Sequence, residues 1–382
     1  MRYKIAFALP WLPQKNVENA HSHFAFAGWL TLILMVLMVR YLGRQDNEFK
    51  ISYKKYNWLL TANLLTAWGM LLSFPVFGYN IVSIVTSTLS VFASYAFAIA
   101  YWRDLNKLKT KGITHNWFKM GLVWNVLSSV GPFYLAFMLF TGTLDEHWYL
   151  AAIYFFLHFQ YNGWFFFACA GLLFSINREK SGFVHYVFYL FAFSCLPAYL
   201  LSVLWAKLPT GAYGLVTFAV ILQLVGWIIL LWLAFKGKIL SLKDLKATEK
   251  ILFMIAALAG TVKFLLQAGS LHPGLAKIAY GFRPIVIAYL HLIFLGMLTM
   301  YILAYLKHTG LIHSGSWRRR GISIFVGGIV FQEVLLLIQG LLSIFYFRTP
   351  YINELLLLSA AIMLGGIGLL NAGMWKRGDT TY

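Results

Sequence analysis

Apolar runs separated by short polar loops recur eleven times along the chain. They lie near 21–41, 57–77, 80–101, 117–140, 147–175, 183–205, 213–235, 249–269, 284–305, 321–346 and 352–372. Crossing a hydrocarbon core takes about 20 apolar residues in a helix, and each run is that long. The pattern predicts an all-α fold, a polytopic membrane helix bundle of about 11 transmembrane helices. It predicts a single integral membrane domain over 1–382, with 1–20 as a short outer segment and 373–382 as a tail. "IAFALPWL", after Arg2 and Lys4, is too short to span and is expected in the interface. No leader with a cleavage site precedes the first run, so no removable signal peptide is expected. The loops are too short for a separate folded unit. No internal repeat or low-complexity tract is expected.

Composition supports the same reading. The chain is 60% hydrophobic and 11% charged, with a mean hydropathy of +0.73. Soluble domains carry about 25% charged residues. The formal charge of +19 would suit a nucleic-acid partner, but its distribution does not. Of 31 Lys and Arg residues, 23 fall in or beside every second loop, seven lie on the other side, and Lys263 is inside a run. By the positive-inside rule the rich side is cytoplasmic, with the N-terminus outside and the C-terminus inside. The run Arg318–Arg320 is then a topology signal. The expected partner is the lipid bilayer, with no nucleic acid. The expected location is a bacterial inner (cytoplasmic) membrane. Cys169 and Cys195 both sit in apolar runs without CxxC spacing, so neither a disulfide framework nor a zinc site is expected.

An ionisable side chain inside a span costs a few kcal/mol and is a functional candidate by default. His115, His185, His308 and His313 fall in or near cytoplasmic loops and His272 in an outer one, and these are expected to be solvated. Four others are different. His21 and His23 open the first run, His158 lies in the fifth and His291 in the ninth. All three runs cross from outside to inside. At 1.5 Å per residue, His21 lies about 8 Å down from Asn16, His291 about 10 Å from Pro284, and His158 about 16 Å from His147. All fall within or at the edge of the outer half of a core about 30 Å thick. Three imidazoles at a similar depth suit haem iron or copper. The alternative is that each bonds a neighbouring helix. His21 and His23 stand about 200° apart around a helix, so only one faces the bundle interior. Lys263 is expected to snorkel. Glu333 is expected to pair with a cytoplasmic base, with proton carriage as the alternative. Gln160 and Asn162 follow His158 as weaker signals.

The arrangement resembles the catalytic subunit of the haem-copper oxidases and nitric oxide reductases, as a short divergent member of that superfamily. In that family twelve spans start inside. A low-spin haem is held by a His near the outer start of span two and another in span ten, and a His in span six helps bind copper or non-haem iron. If this chain lacks the family's first span, its runs one, five and nine correspond to those three. "AHS" at 20–22 looks like the family's "AHG" or "AHA", which favours His21 over His23. The family's span-ten "HFH" reads "YLH" here, with Tyr289 at the high-spin position and His291 at the low-spin one. His158 looks like the span-six metal ligand. Arg348 matches the place of basic residues on haem propionates. The chain departs from the family in span seven, where His185 alone stands for two adjacent copper ligands. It departs again in "HFQYN", where Tyr161 follows His158 by three residues rather than four.

Haem b is the cofactor this resemblance implies, with copper or non-haem iron as a second metal. The leading expectation is electron transfer or O2/NO handling through that haem. An active oxygen or nitric oxide reductase with an atypical metal site is the second. A cofactor-free transporter or structural subunit, using Lys263, Glu333 and Asn162, is the third. No CxxCH occurs, so a quinol or a partner electron-transfer subunit is the expected donor.

Overall fold

The computed structural model describes residues 2–7, 9–45, 51–109, 111–176, 182–206, 208–241, 243–313, 315–347 and 349–375. No strand occurs among them. Ten of the described helices are long and apolar enough to cross a membrane. They are α1 (Gln14–Gly43), α2 (Tyr53–Phe77), α3 (Ile81–Lys107), α4 (Ile113–Thr141), α6 (Gly182–Ala206), α7 (Thr210–Phe235), α8 (Ala247–Gly269), α9 (Arg283–His308), α10 (Ser316–Ile344) and α11 (Ile352–Met374).

The fifth apolar run, α5, is helical throughout, as Glu146–His158, Phe159–Phe165 and Phe166–Ile176 in succession. It stands apart from those ten because His158, Gln160 and Asn162 dilute the apolarity of its middle. Every residue from His158 to Leu172 is buried. Polar side chains at membrane depth are tolerated where protein rather than lipid surrounds them, and α5 meets that condition. The outward faces are apolar instead. Phe140 is 93% exposed, Leu364 73% and Phe193 72%. Apolar surface on this scale marks contact with lipid.

The helices form two units by their internal packing. One holds α1 to α7, and the other holds α8 to α11 together with the short helix Arg2–Ala6, which lies against α11. In the first unit, α4 and α5 pack closely through glycine. A Cβ on Gly163 would stand 2.5 Å from the Trp124 Cβ, and one on Gly171 would stand 2.6 Å from the Phe118 ring. Trp117 of α4 fills the space beside them, stacked on Phe174 and edge-on to Phe166 and Phe188. At the basic-rich end, Asp104 is buried and held by Lys55, by Lys107 at 3.0 Å and by the Tyr56 hydroxyl at 2.9 Å. In the second unit, α10 and α11 touch backbone to backbone. A Cβ on Gly321 would meet Leu370 N at 2.6 Å, and one on Gly366 would meet Phe325 N at 2.5 Å.

Several polar residues differ from expectation. His115 is buried rather than solvated, with its Nε2 at 3.1 Å from the Tyr41 hydroxyl. His308 bonds Glu249 at 3.3 Å. Lys263 does not snorkel. It is buried, and its ammonium sits 3.7 Å from the centre of the Phe264 ring. Glu333 forms no ion pair among the described residues, and its Oε1 is buried without a hydrogen bond. For His115 and His308 a neighbouring helix supplies the partner, and for Lys263 the next residue of its own helix does.

Candidate functional site

Three helices change their hydrogen-bond register at a histidine. In α1 a π-helical stretch, Phe24–Thr31, begins immediately after His23. In α5 one begins after His158 and runs Phe159–Phe165. In α9 one begins after His291 and runs Leu292–Thr299. These are the π-helices among the described residues. Such stretches are rare and concentrate at functional sites.

The local sequences match as well. His23-Phe24-Ala25-Phe26-Ala27-Gly28, His158-Phe159-Gln160-Tyr161-Asn162-Gly163 and His291-Leu292-Ile293-Phe294-Leu295-Gly296 share one spacing. Each has histidine, a large apolar residue next, an aromatic at the third place on and glycine at the fifth. The pattern is a local one, six residues long. The repeat is short and its copies lie far apart in the chain, so the changes in helical register make it visible. The glycines allow close approach. The Gly28 site lies under its own Phe24 ring at 2.7 Å, the Gly163 site under Trp124, and the Gly296 site at 3.3 Å from the Ala259 Cβ.

The first unit joins two copies of this repeat. Trp164 Nε1 donates to Thr31 Oγ1 at 3.2 Å, and the Phe26 and Phe165 rings lie 5.7 Å apart. Thr299 of the third copy turns its hydroxyl back to the Phe294 carbonyl at 2.7 Å, five residues earlier. That spacing is the one a π turn requires.

The histidines themselves are held differently. His158 is fully engaged. Its Nδ1 accepts from Asn162 Nδ2 at 3.1 Å, and its Nε2–H donates to the Cys195 carbonyl at 2.8 Å. Cys195 lies in the turn around Pro197, just before α6 tightens to a 3-10 helix at Tyr199. Proline has no N–H, so the α-helical ladder loses the bond from residue 197 to the Phe193 carbonyl. Beside it, Gln160 donates to Asn125 Oδ1 at 2.9 Å and to Ser128 Oγ at 2.8 Å. Asn125 and Ser128 carry no sequence signal of their own, and only the packing of α4 on α5 brings them in.

His291 is half-buried, and its Nδ1–H donates to the Ile287 carbonyl at 2.8 Å. This bond places the imidazole lone pair on Nε2. A backbone carbonyl on Nδ1 is the usual way a ligating histidine is oriented. Tyr289 is half-buried and lies two residues earlier, about 200° around the helix, so the two side chains leave different faces. His23 is half-buried and stacks on Phe74, with ring centres 4.6 Å apart and planes 10° apart. His21 is exposed. Arg348 lies outside the described residues. Among the described residues no group of three or more His, Cys, Asp or Glu could hold a metal ion.

Fold and surface together define an all-α integral membrane protein that crosses the bilayer many times. No protein-family model matches the chain, and no curated protein matches it.

Proposed function

We propose that this chain binds a b-type haem near the outer face of the membrane and serves electron transfer or the handling of O2 or NO. The family resemblance implies His291 of α9 and a histidine of α1 as its axial ligands. The observation that supports this reading is the common placing of His23, His158 and His291, each at the last α-helical position before a π stretch. The register of that repeat favours His23 over His21 in α1. The bound haem would supply a reversible one-electron couple whose potential its axial ligands and burial set.

The chain's own residues fit this group at one ligand and not at a second metal. The Ile287 carbonyl holds the His291 ring with Nε2 as the coordinating nitrogen. His158 has both nitrogens committed to Asn162 and Cys195. Copper or non-haem iron at His158 would break one of those bonds. Tyr289 leaves a different face of its helix from His291. His158 therefore acts as a clamp between α5 and α6. A quinol or a partner subunit is the proposed electron donor, and a bacterial cytoplasmic membrane is the proposed location.

A second reading, a cofactor-free transporter, is favoured by the buried Lys263 and by the unbonded Oε1 of Glu333. The visible spectrum of the purified chain separates the two. The expected result is a Soret band that is lost in His291→Ala and in one of His21→Ala or His23→Ala. A colourless wild type, from cells that supply haem to other proteins, would overturn the haem reading and leave the transporter.

A further inference from the structure

The basic-rich end of α10 carries a groove that the proposed haem site does not use. Its volume is about 350 Å3, and it is lined by Trp317, Arg319, Arg320, Ser323 and Ile324 of α10 and by Leu369 of α11. Trp317, Arg320 and Ile324 stand at i, i+3 and i+7, so they share one side of the helix. Where Gly321 meets Gly366 and Leu370, α10 and α11 run in backbone contact. The larger side chains on either side of that contact form the walls.

The groove has a mixed lining. Arg319, Arg320 and Ser323 offer hydrogen-bond donors, and Trp317, Ile324 and Leu369 offer apolar surface beside them. Guanidinium groups match phosphate with paired N–H donors. The surrounding field is positive too. Lys307 lies within Coulomb range of Lys246, Arg318 and Arg319. The nearby carboxylate, Glu249, is bonded to His308. Trp317 is 47% exposed, as an indole at the membrane–water boundary is expected to be.

We propose that this groove binds an acidic phospholipid. The headgroup phosphate sits on Arg319, Arg320 and Ser323, and an acyl chain lies along Ile324 and Leu369. Charge complementarity selects an anion, and the apolar lining selects a lipid over free phosphate. Basic pockets between membrane helices on the cytoplasmic side are known to take such headgroups. The inference does not depend on haem.

The test uses the purified full chain in a neutral detergent, titrated with phosphatidylglycerol, phosphatidylcholine or inorganic phosphate. Binding is read by native mass spectrometry and by the melting temperature. Phosphatidylglycerol is expected to bind saturably and raise the melting temperature, and phosphatidylcholine is expected to do neither. Each basic group near an anionic lipid contributes roughly fivefold, so Arg319→Gln with Arg320→Gln should weaken phosphatidylglycerol about 30-fold. Both side chains are exposed, so the lipid-free melting temperature should not change. Should that variant fail to fold, Arg319→Lys with Arg320→Lys keeps the charge, loses the fork and should weaken binding by a smaller factor. Equal binding of phosphatidylcholine would overturn the proposal. So would an equal effect of inorganic phosphate, or unchanged lipid affinity in the variants.

Discussion

Trp164 Nε1 donates a 3.2 Å hydrogen bond to Thr31 Oγ1, and both residues are buried. Thr31 ends the π stretch of α1, and Trp164 lies in that of α5. The widened turn carries each side chain to where the other can reach it. Trp164→Phe keeps most of the ring and removes the donor. It should cost about 1 kcal/mol, in the range of hydrogen bonds between membrane helices. A double-mutant cycle with Thr31→Val measures the coupling. A coupling near zero would mean that the bond is not formed in the bilayer.

Gly163 should tolerate no larger residue. Gly163→Ala brings a methyl within 2.5 Å of the Trp124 Cβ, where neither backbone can move cheaply. Overpacking of this kind costs about 1–3 kcal/mol. Gly365→Ala in α11 meets nothing within 4 Å and should be neutral or slightly stabilising, because alanine favours helix. Thermal unfolding of the two variants side by side checks the contrast.

His158→Ala should act on stability and not on metal content. It removes one hydrogen bond from the Asn162 amide and one from the Cys195 carbonyl. Each buried group left unpaired costs about 1–3 kcal/mol. The spectrum of the proposed haem should be nearly intact and oxygen reduction by the wild type slight or absent. Stoichiometric copper or non-haem iron in the wild type, lost in this variant, would promote the reductase reading.

Topology is the simplest prediction to check. A reporter joined after Tyr382 should be active only when it works in the cytoplasm, as the 23-to-seven basic asymmetry requires. A reporter active only outside would reverse every span and remove the correspondence with the oxidase family.

The eleven apolar runs were legible in the sequence because hydropathy adds up along a segment and needs no partner. The same holds for the basic asymmetry, and for three histidines that stand out against an apolar background. His-to-Gly spacing was also present in the letters, but three copies of six residues carry little weight until their helices are seen to widen at the same place. Tertiary structure alone decided how each histidine is used. His158 bonds Cys195, 37 residues away, and Gln160 bonds Asn125, 35 residues away. A polar group in hydrocarbon must find a partner somewhere, but which partner depends on how helices pack, and no local pattern encodes that. For the same reason His115, expected in water by its place in the chain, lies buried against Tyr41, 74 residues away.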